Sequence, residues 1–122
     1  MDTPTINYDE LSDTLYISFA SGEKATGIEL NEHILLRLDK TERRVIGLTL
    51  FEYSLLAQST ETGPRSFPLT GLNELSEDLR GLVLEVVTQP PISSILHLST
   101  YTPSALESIP ITSVAPFAVA AS

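Results

Sequence analysis

The carboxylates that follow the first predicted strand are the residues best suited to chemistry. Asp9, Glu10 and Asp13 lie close together just after Tyr8. Oxygen ligands gathered in one loop are what Ca²⁺ and Mg²⁺ prefer. The spacing does not match an EF-hand, because that loop requires ligands at alternate positions and a central glycine, and Leu11 interrupts the pattern here.

The same segment is typical of a tight β-hairpin turn. Asp and Ser side chains hydrogen-bond to the backbone one or two residues further on, which stabilises turns. The flanking apolar residues alternate with polar ones, as they do in half-buried strands. We therefore predict a structural turn motif in this segment, formed by Tyr8, Asp9, Asp13, Leu15 and Tyr16.

The two histidines are the other residues that could bind a metal. Neither His33 nor His97 has a partner at the short spacing of a zinc-binding pair. We expect His33 on the surface of a hairpin turn, and His97 on a strand between two leucines. A divalent metal site formed by Asp9, Asp13, Asp39 and His33 is the alternative, which the fold would have to assemble from distant positions.

No motif for covalent catalysis is present. No serine lies in a G-x-S-x-G sequence, and the chain has no cysteine, which excludes thiol chemistry and disulfides. We predict no catalytic residue, no cofactor and no enzymatic activity. The net charge of −9 opposes nucleic-acid binding, because affinity for phosphates depends on Lys and Arg. An acidic surface favours a basic protein partner instead.

The length of 122 residues is typical of one domain, which we assign to residues 1–122. The start of the chain lacks the basic and apolar regions of a signal peptide. No run of about 18 apolar residues could span a bilayer. We expect a cytoplasmic protein with no membrane contact.

Short apolar alternations separated by turn residues predict an antiparallel β-meander over the first half of the chain. The predicted strands are Ile6–Tyr8, Leu15–Ala20, Thr26–Leu30, Ile34–Leu38 and Val45–Phe51. Because alternate residues of a strand face one side, one set must be buried. That set comprises Leu15, Ile17, Phe19, Ile28, Leu30, Ile34, Leu36, Leu38, Ile46, Leu48 and Leu50.

A short helix over Glu52–Ala57, a polar linker over Gln58–Pro68 and a longer helix within residues 69–91 are predicted next. In the longer helix, apolar residues recur every three or four positions from Leu72 to Thr88. Gly81 inside it costs about 1 kcal/mol relative to alanine, so we expect a close packing contact at that residue.

Residues 92–122 form an apolar, β-prone extension. Two interpretations remain open: its strands join the core of the same chain, or they pair with another copy. Exposed apolar strands aggregate unless they are paired. We therefore expect a homo-oligomer, most simply a dimer.

The first half resembles a small bacterial family, the domain of unknown function family 2283. The resemblance covers residues 6 to 58 and rests on the run from Tyr8 to Ile17, then on Gly22, Ile34–Leu36, Val45–Leu48 and Ser54. It implies a compact β-meander followed by a short helix, and no established activity. Arg37 and Asp39 stand where the family carries D-x-D, and Thr49 where it carries glutamate, which weakens any acidic site implied by the family.

These observations predict an α+β protein whose antiparallel sheet packs with one main helix. The function expected is a non-enzymatic protein-interaction or oligomerisation module. The alternative is a protein that binds a small ligand or divalent metal, including a hydrolase, through its scattered Asp and His residues.

Overall fold

The computed structural model describes residues 5–20, 25–57, 59–60, 63–64, 66–104 and 107–114. Its main sheet consists of β1 (Thr5–Asp9), β2 (Thr14–Ser18), β3 (Thr26–Asn31), β4 (Ile34–Asp39) and β5 (Arg44–Phe51). All neighbours are antiparallel, in the order β1-β2-β5-β4-β3. The predicted antiparallel sheet is confirmed, but β2 pairs with β5 and not with β3, as a simple meander would require. Strand β5 is central because the β1–β2 hairpin joins the β3-β4-β5 meander along it.

The second half supplies the helices and a smaller sheet. Its elements are α1 (Tyr53–Leu56), β6 (Ser59–Thr60), β7 (Gly63–Pro64), β8 (Ser66–Pro68), a 3₁₀ helix (Thr70–Glu74), α2 (Glu77–Val87), a second 3₁₀ helix (Ile92–Ser94), β9 (Leu96–Ser104) and β10 (Glu107–Val114). Strands β8, β10 and β9 form a three-stranded antiparallel sheet. The predicted linker over 58–68 therefore contains strands, and β9 and β10 pair within the chain.

The main helix begins at Glu77, not near Leu72 as the periodicity indicated. Ser76 is extended and its hydroxyl accepts a hydrogen bond from the backbone N–H of Leu79 at 3.2 Å, which makes it an N-cap. Glu77 and Asp78 follow in the first turn, where the helix dipole favours negative charge. Leu72 belongs to the first 3₁₀ helix instead, where its side chain is buried in the core.

One face of the main sheet forms the core of the protein. The predicted inward residues are buried, apart from the partly buried Phe19. The second half covers this face with Leu69, Leu72, Leu82, Val83, Val86, Val87, Ile92, Ile95 and Leu96. Sheet and helix thus share one hydrophobic core, and the α+β class is confirmed.

The predicted packing contact at Gly81 is wrong, and a close contact occurs at Gly71 instead. A Cβ atom on Gly81 would have open space around it. A Cβ atom on Gly71 would lie 1.8 Å from the backbone oxygen of Glu29, on strand β3. The first 3₁₀ helix therefore packs its backbone directly against the β3 edge of the main sheet. No helix in the described part of the chain is long and apolar enough to cross a membrane.

Candidate functional site

The β1–β2 turn is held by hydrogen bonds to Asp9. Its Oδ1 atom accepts from the backbone N–H of Leu11 at 3.1 Å, and the Ser12 hydroxyl donates to its Oδ2 atom at 2.9 Å. Asp13 ends the turn with φ 51°, a left-handed conformation that Asp adopts more readily than most residues. The side chains of the turn thus supply the bonds that reverse the chain.

The Asp13 carboxylate connects this turn to helix α1. The Tyr8 hydroxyl donates to its Oδ1 atom at 2.6 Å, and the Ser54 hydroxyl donates to the same oxygen at 2.9 Å. The backbone N–H of Ser54 lies 3.2 Å from both carboxylate oxygens. The backbone N–H of Tyr53 donates to the Asp13 carbonyl at 2.9 Å. Strand β1, the turn and α1 are therefore tied together at a single residue.

The ionisation of Asp13 and Tyr8 follows from these bonds. Partial burial is the largest single influence on Asp13 and acts to raise its pKa, but the hydrogen bonds from Tyr8 and from the Ser54 hydroxyl and N–H together outweigh it and lower the pKa. The hydrogen bond to Asp13 raises the pKa of the Tyr8 hydroxyl. Both groups are thus held in the forms that bond to each other, a carboxylate and a protonated phenol.

This cluster is suited to holding the chain together and not to nucleophilic attack. The Ser54 hydroxyl already donates its proton to Asp13. An activated serine needs a base such as histidine, and none of the hydrogen bonds of the described residues joins Ser54 to an imidazole. The carboxylate itself receives several donors, which leaves little capacity for a cation.

His33 is less exposed than its position in a turn predicts. Its side chain is only 13% exposed, its Nε2 atom lies 3.1 Å from Glu52 Oε1, and its ring centroid lies 5.8 Å from that of Phe67. The Asn31 side chain shapes the turn by accepting from the His33 N–H at 2.8 Å and donating to the Pro68 carbonyl at 3.1 Å. The expectation of a surface residue is therefore wrong, because β8 packs over the turn.

A cleft of about 360 Å³ adjoins this turn; it is lined by Asn31, Glu32, His33, Phe67, Pro68 and Thr70.

The remaining members of the predicted metal set lie in their own turns. Asp39 accepts hydrogen bonds from the backbone N–H groups of Thr41 and Glu42 at 2.9 and 3.1 Å. His97 lies exposed on β9. Within the described ranges, no group of three or more His, Cys, Asp or Glu side chains could hold a metal ion.

The side of the main sheet that faces away from the core is a second feature, which we call the outer face. Strand pairing aligns its residues in two central rows across the five strands: Asn7, Tyr16, Thr49, Leu35 and Glu29 in one, and Thr5, Ser18, Gly47, Arg37 and Gly27 in the other. Phe51 lies in a third row beside Thr14. Tyr16 is 44% exposed and Phe51 39% exposed, whereas Thr14 and Thr49 in the same rows are buried.

Arg37 lies across the outer face over Gly47. Its Nη2 atom is 3.3 Å and its Nε atom 3.4 Å from the place where a Cβ atom on Gly47 would stand. The glycine therefore leaves room for the Arg37 guanidinium beside β5. Arg37 makes no ion pair with another described residue.

Strand alternation alone could have identified the outer face. Tyr16, Leu35 and Thr49 alternate with the inward-facing residues of their strands and therefore point to the other side of the sheet.

The fold and the Asp13 network define a small α+β domain with an antiparallel five-stranded sheet and a structural turn motif. Residues 5–54 match the model of a family described as "Protein of unknown function (DUF2283)". The family resemblance is thus confirmed for β1 to β5 and the start of α1. Neither the curated proteins nor the solved structures include a match to the chain.

Proposed function

We propose that the chain is a non-enzymatic protein-interaction module that associates with a second copy of itself through the outer face. The observation that carries the proposal is the exposure of Tyr16 and Phe51, beside the partly buried Leu35, on a sheet whose other side is the core. Aromatic residues and Arg are enriched in protein interfaces. A second sheet could pack on this face as in a β-sandwich.

Charge supports a second copy as the occupant of this face. The two central rows carry one anion, Glu29, and one cation, Arg37, whereas the whole chain has a net charge of −9. Two acidic copies therefore meet with least repulsion at this face, and Arg37 can pair with a carboxylate across the contact. The basic partner expected from the net charge stays a separate prediction.

A non-enzymatic role is supported by the use of the reactive side chains within the fold. The Asp13 carboxylate and the Ser54 and Tyr8 hydroxyls bond to one another. Asp9 and Asp39 bond to turn backbone. These contacts account for the side chains without requiring a substrate.

Sedimentation equilibrium of the wild type and of Tyr16→Lys tests the proposal. We expect the wild type to associate, and the lysine to raise the dissociation constant of the outer-face contact about tenfold or more, because burying an unpaired ammonium at the contact is costly. The substitution makes the net charge less negative, so a general increase in repulsion cannot explain the loss. The matched control is Leu11→Lys at a fully exposed apolar residue of the β1–β2 turn.

The control variant should associate as the wild type does. A wild type that stays monomeric at all concentrations, or a Tyr16→Lys variant that associates unchanged, contradicts the proposal. Circular dichroism spectra of the variants check that they remain folded.

The alternative, a small-ligand or metal-binding function, is favoured by one observation, the cleft beside His33. Its volume of about 360 Å³ falls in the range of about 300–1,000 Å³ typical of ligand sites. A thermal-shift screen with Zn²⁺, Mg²⁺ and Ca²⁺ tests the metal form of this function, because a ligand bound only by the native state raises the Tm. A Tm that rises in the wild type and not in His33→Gln supports it, and an unchanged Tm at saturating metal contradicts it.

A further inference from the structure

Strand β1 is the last strand at one edge of the main sheet. Among the described residues it pairs with β2 alone, and β2 lies between it and the rest of the sheet. A strand with one unpaired side presents a row of backbone N–H and C=O groups to any chain that can pair with it. The groups on that side can be identified from the hydrogen bonds of β2.

Alternation along β2 shows which residues of β1 face outward. The backbone N–H of Phe19, directly after β2, donates to the carbonyl of Ile46 at 2.9 Å in register with the β2–β5 ladder. Backbone groups alternate in direction along a strand, so Ile17 also faces β5 and Tyr16 faces β1. Tyr16 is paired with Asn7. The N–H and C=O groups of Ile6 and Tyr8 therefore point away from β2, toward the open side.

Strand β1 carries few of the features that usually prevent strands from pairing, and its single charge is Asp9 at its end. Residues Thr5 to Asp9 include no proline, no lysine and no positive φ value, all of which protect natural edges. The side chain of Ile6 is 47% exposed on the core side of the sheet. An apolar side chain beside unpaired backbone favours strand addition.

We propose that β1 pairs antiparallel with β1 of a second copy, about a twofold axis at Asn7. In this register Ile6 of one copy lies opposite Tyr8 of the other, and Thr5 opposite Asp9. Among the antiparallel registers, this one pairs all five residues of β1 with the five residues of β1 in the second copy. The outward N–H and C=O groups of Ile6 and Tyr8 then bond to each other across the axis, as in a normal antiparallel ladder.

Side-chain chemistry suits the same register. The exposed Ile6 packs beside Tyr8 of the second copy, where apolar cross-strand pairs stabilise a sheet. Asp9, the single formal charge of β1, lies opposite a threonine, so no like charges face each other. The two five-stranded sheets then form one continuous sheet of twice that width.

This edge contact is distinct from the outer-face contact and does not depend on it. When both form and their twofold axes intersect at right angles, they generate a dimer of dimers, a tetramer of a common symmetry. Each contact can therefore be removed separately and recognised from the mass of the particle that remains.

Sedimentation equilibrium of Ile6→Pro tests the edge contact. Proline removes an N–H that points away from β2, which an edge strand tolerates, so the β1–β2 ladder is kept. Ile6→Ala is the matched control, because it removes the same side chain and keeps the N–H. We expect a tetramer in the wild type, a dimer in Ile6→Pro and in Tyr16→Lys, and a monomer in the double variant. The alanine control should weaken the edge contact by a smaller factor than proline does.

The separate outcomes distinguish the two proposals. If Ile6→Pro keeps the wild-type mass while Tyr16→Lys loses a contact, the edge inference is overturned and the proposed function stands. If only Ile6→Pro reduces the mass, the edge contact stands and the outer-face contact fails. A monomeric wild type overturns both.

Amide hydrogen exchange provides a second measurement on the unaltered chain. We expect the amides of Ile6 and Tyr8 to gain protection as the protein concentration rises through the association range. The Asn7 amide, which faces β2, should be protected at every concentration. Protection of Ile6 and Tyr8 that does not depend on concentration would show that the chain covers its own edge, and would overturn the inference.

Discussion

The two edges of the main sheet differ in how closely the described part of the chain covers them. At the β3 edge, the first 3₁₀ helix packs so closely that Gly71 leaves no room for a Cβ atom beside the Glu29 carbonyl. At the β1 edge, no described strand or helix pairs beyond β2. Two residues on the core side reflect the contrast: Leu30 on β3 is fully buried, and Ile6 on β1 is 47% exposed.

This contrast indicates what the second half of the chain contributes. The family match ends at residue 54, and both edge strands lie within it. The segment that closes the β3 edge, Leu69 to Glu74, lies outside the match. The second half thus covers the core face and one edge of the matched segment, whereas no described element of the second half pairs with the β1 edge.

The largest expected effect comes from truncating the two edge residues that differ most in burial. Leu30→Ala should reduce the free energy of unfolding by about 4 kcal/mol, because it leaves a cavity in a packed core. Ile6→Ala should cost less than about 1 kcal/mol, because much of that side chain is already in water. Urea denaturation at a protein concentration where the chain is monomeric measures both. Equal losses would remove the contrast between the edges.

A single added methyl group tests the closed edge directly. Gly71→Ala places a Cβ atom where the Glu29 carbonyl now lies, and backbone cannot yield as a flexible side chain can. We expect a loss of about 3 kcal/mol, the upper end of the usual cost of overpacking. Urea denaturation measures it. A loss below about 0.5 kcal/mol would mean that the 3₁₀ helix does not lie against β3.

Strand alternation was sufficient to predict the five strands and their buried residues. It could not predict the strand order, because the contact of β2 with β5 joins residues that are distant in sequence, such as Ile17 and Leu48. The burial of His33 was missed for the same reason, since Phe67 reaches the turn from the second half. Local patterns determine which residues face inward, whereas the pairing of distant segments determines which of them are covered.

The glycines and the candidate site also show that local sequence patterns do not predict contacts between distant segments. Gly81 was singled out because it interrupts a helical pattern, but the close contact occurs at Gly71, where no local rule is broken. The Asp9 turn follows from its residue types. The bonds between Asp13 and Ser54 span 41 positions, which no spacing rule covers. The outer face was predictable, because it is the complement of the buried set.

The turn that fixes the end of β1 should make stability depend on pH. The pKa of Asp13 is lowered in the folded protein, so its contribution is present above the unfolded pKa of about 4 and is lost as the pH falls through the folded value. In Asp13→Asn the Tm should fall less steeply as the pH is lowered. The free energy of unfolding at pH 7 should be about 1 kcal/mol lower than in the wild type, given the partial exposure of the site. Thermal unfolding between pH 2 and pH 8 measures both.

The alkaline side provides a check on the same bond. The pKa of Tyr8 is raised by its hydrogen bond to Asp13, so its contribution is present below the unfolded pKa of about 10 and is lost as the pH rises through the folded value. In Tyr8→Phe the Tm should depend less on pH in the alkaline range. Most of its dependence on pH in the acid range should remain, because Ser54 still donates to Asp13. An acid limb identical in wild type and Asp13→Asn would show that the carboxylate does not help to hold β1 in place.

The smallest effect has the opposite sign and completes the contrast between the two glycines. Gly81 lies exposed on α2 with open space where a Cβ atom would stand. Its backbone is helical, so alanine fits without strain and reduces the freedom of the unfolded chain. Gly81→Ala should therefore stabilise the protein by about 0.5–1 kcal/mol in urea denaturation. Because the same substitution at Gly71 is expected to destabilise it, helix propensity cannot explain both results. A destabilised Gly81→Ala variant would show that another part of the chain, or a second copy, packs against this face of α2.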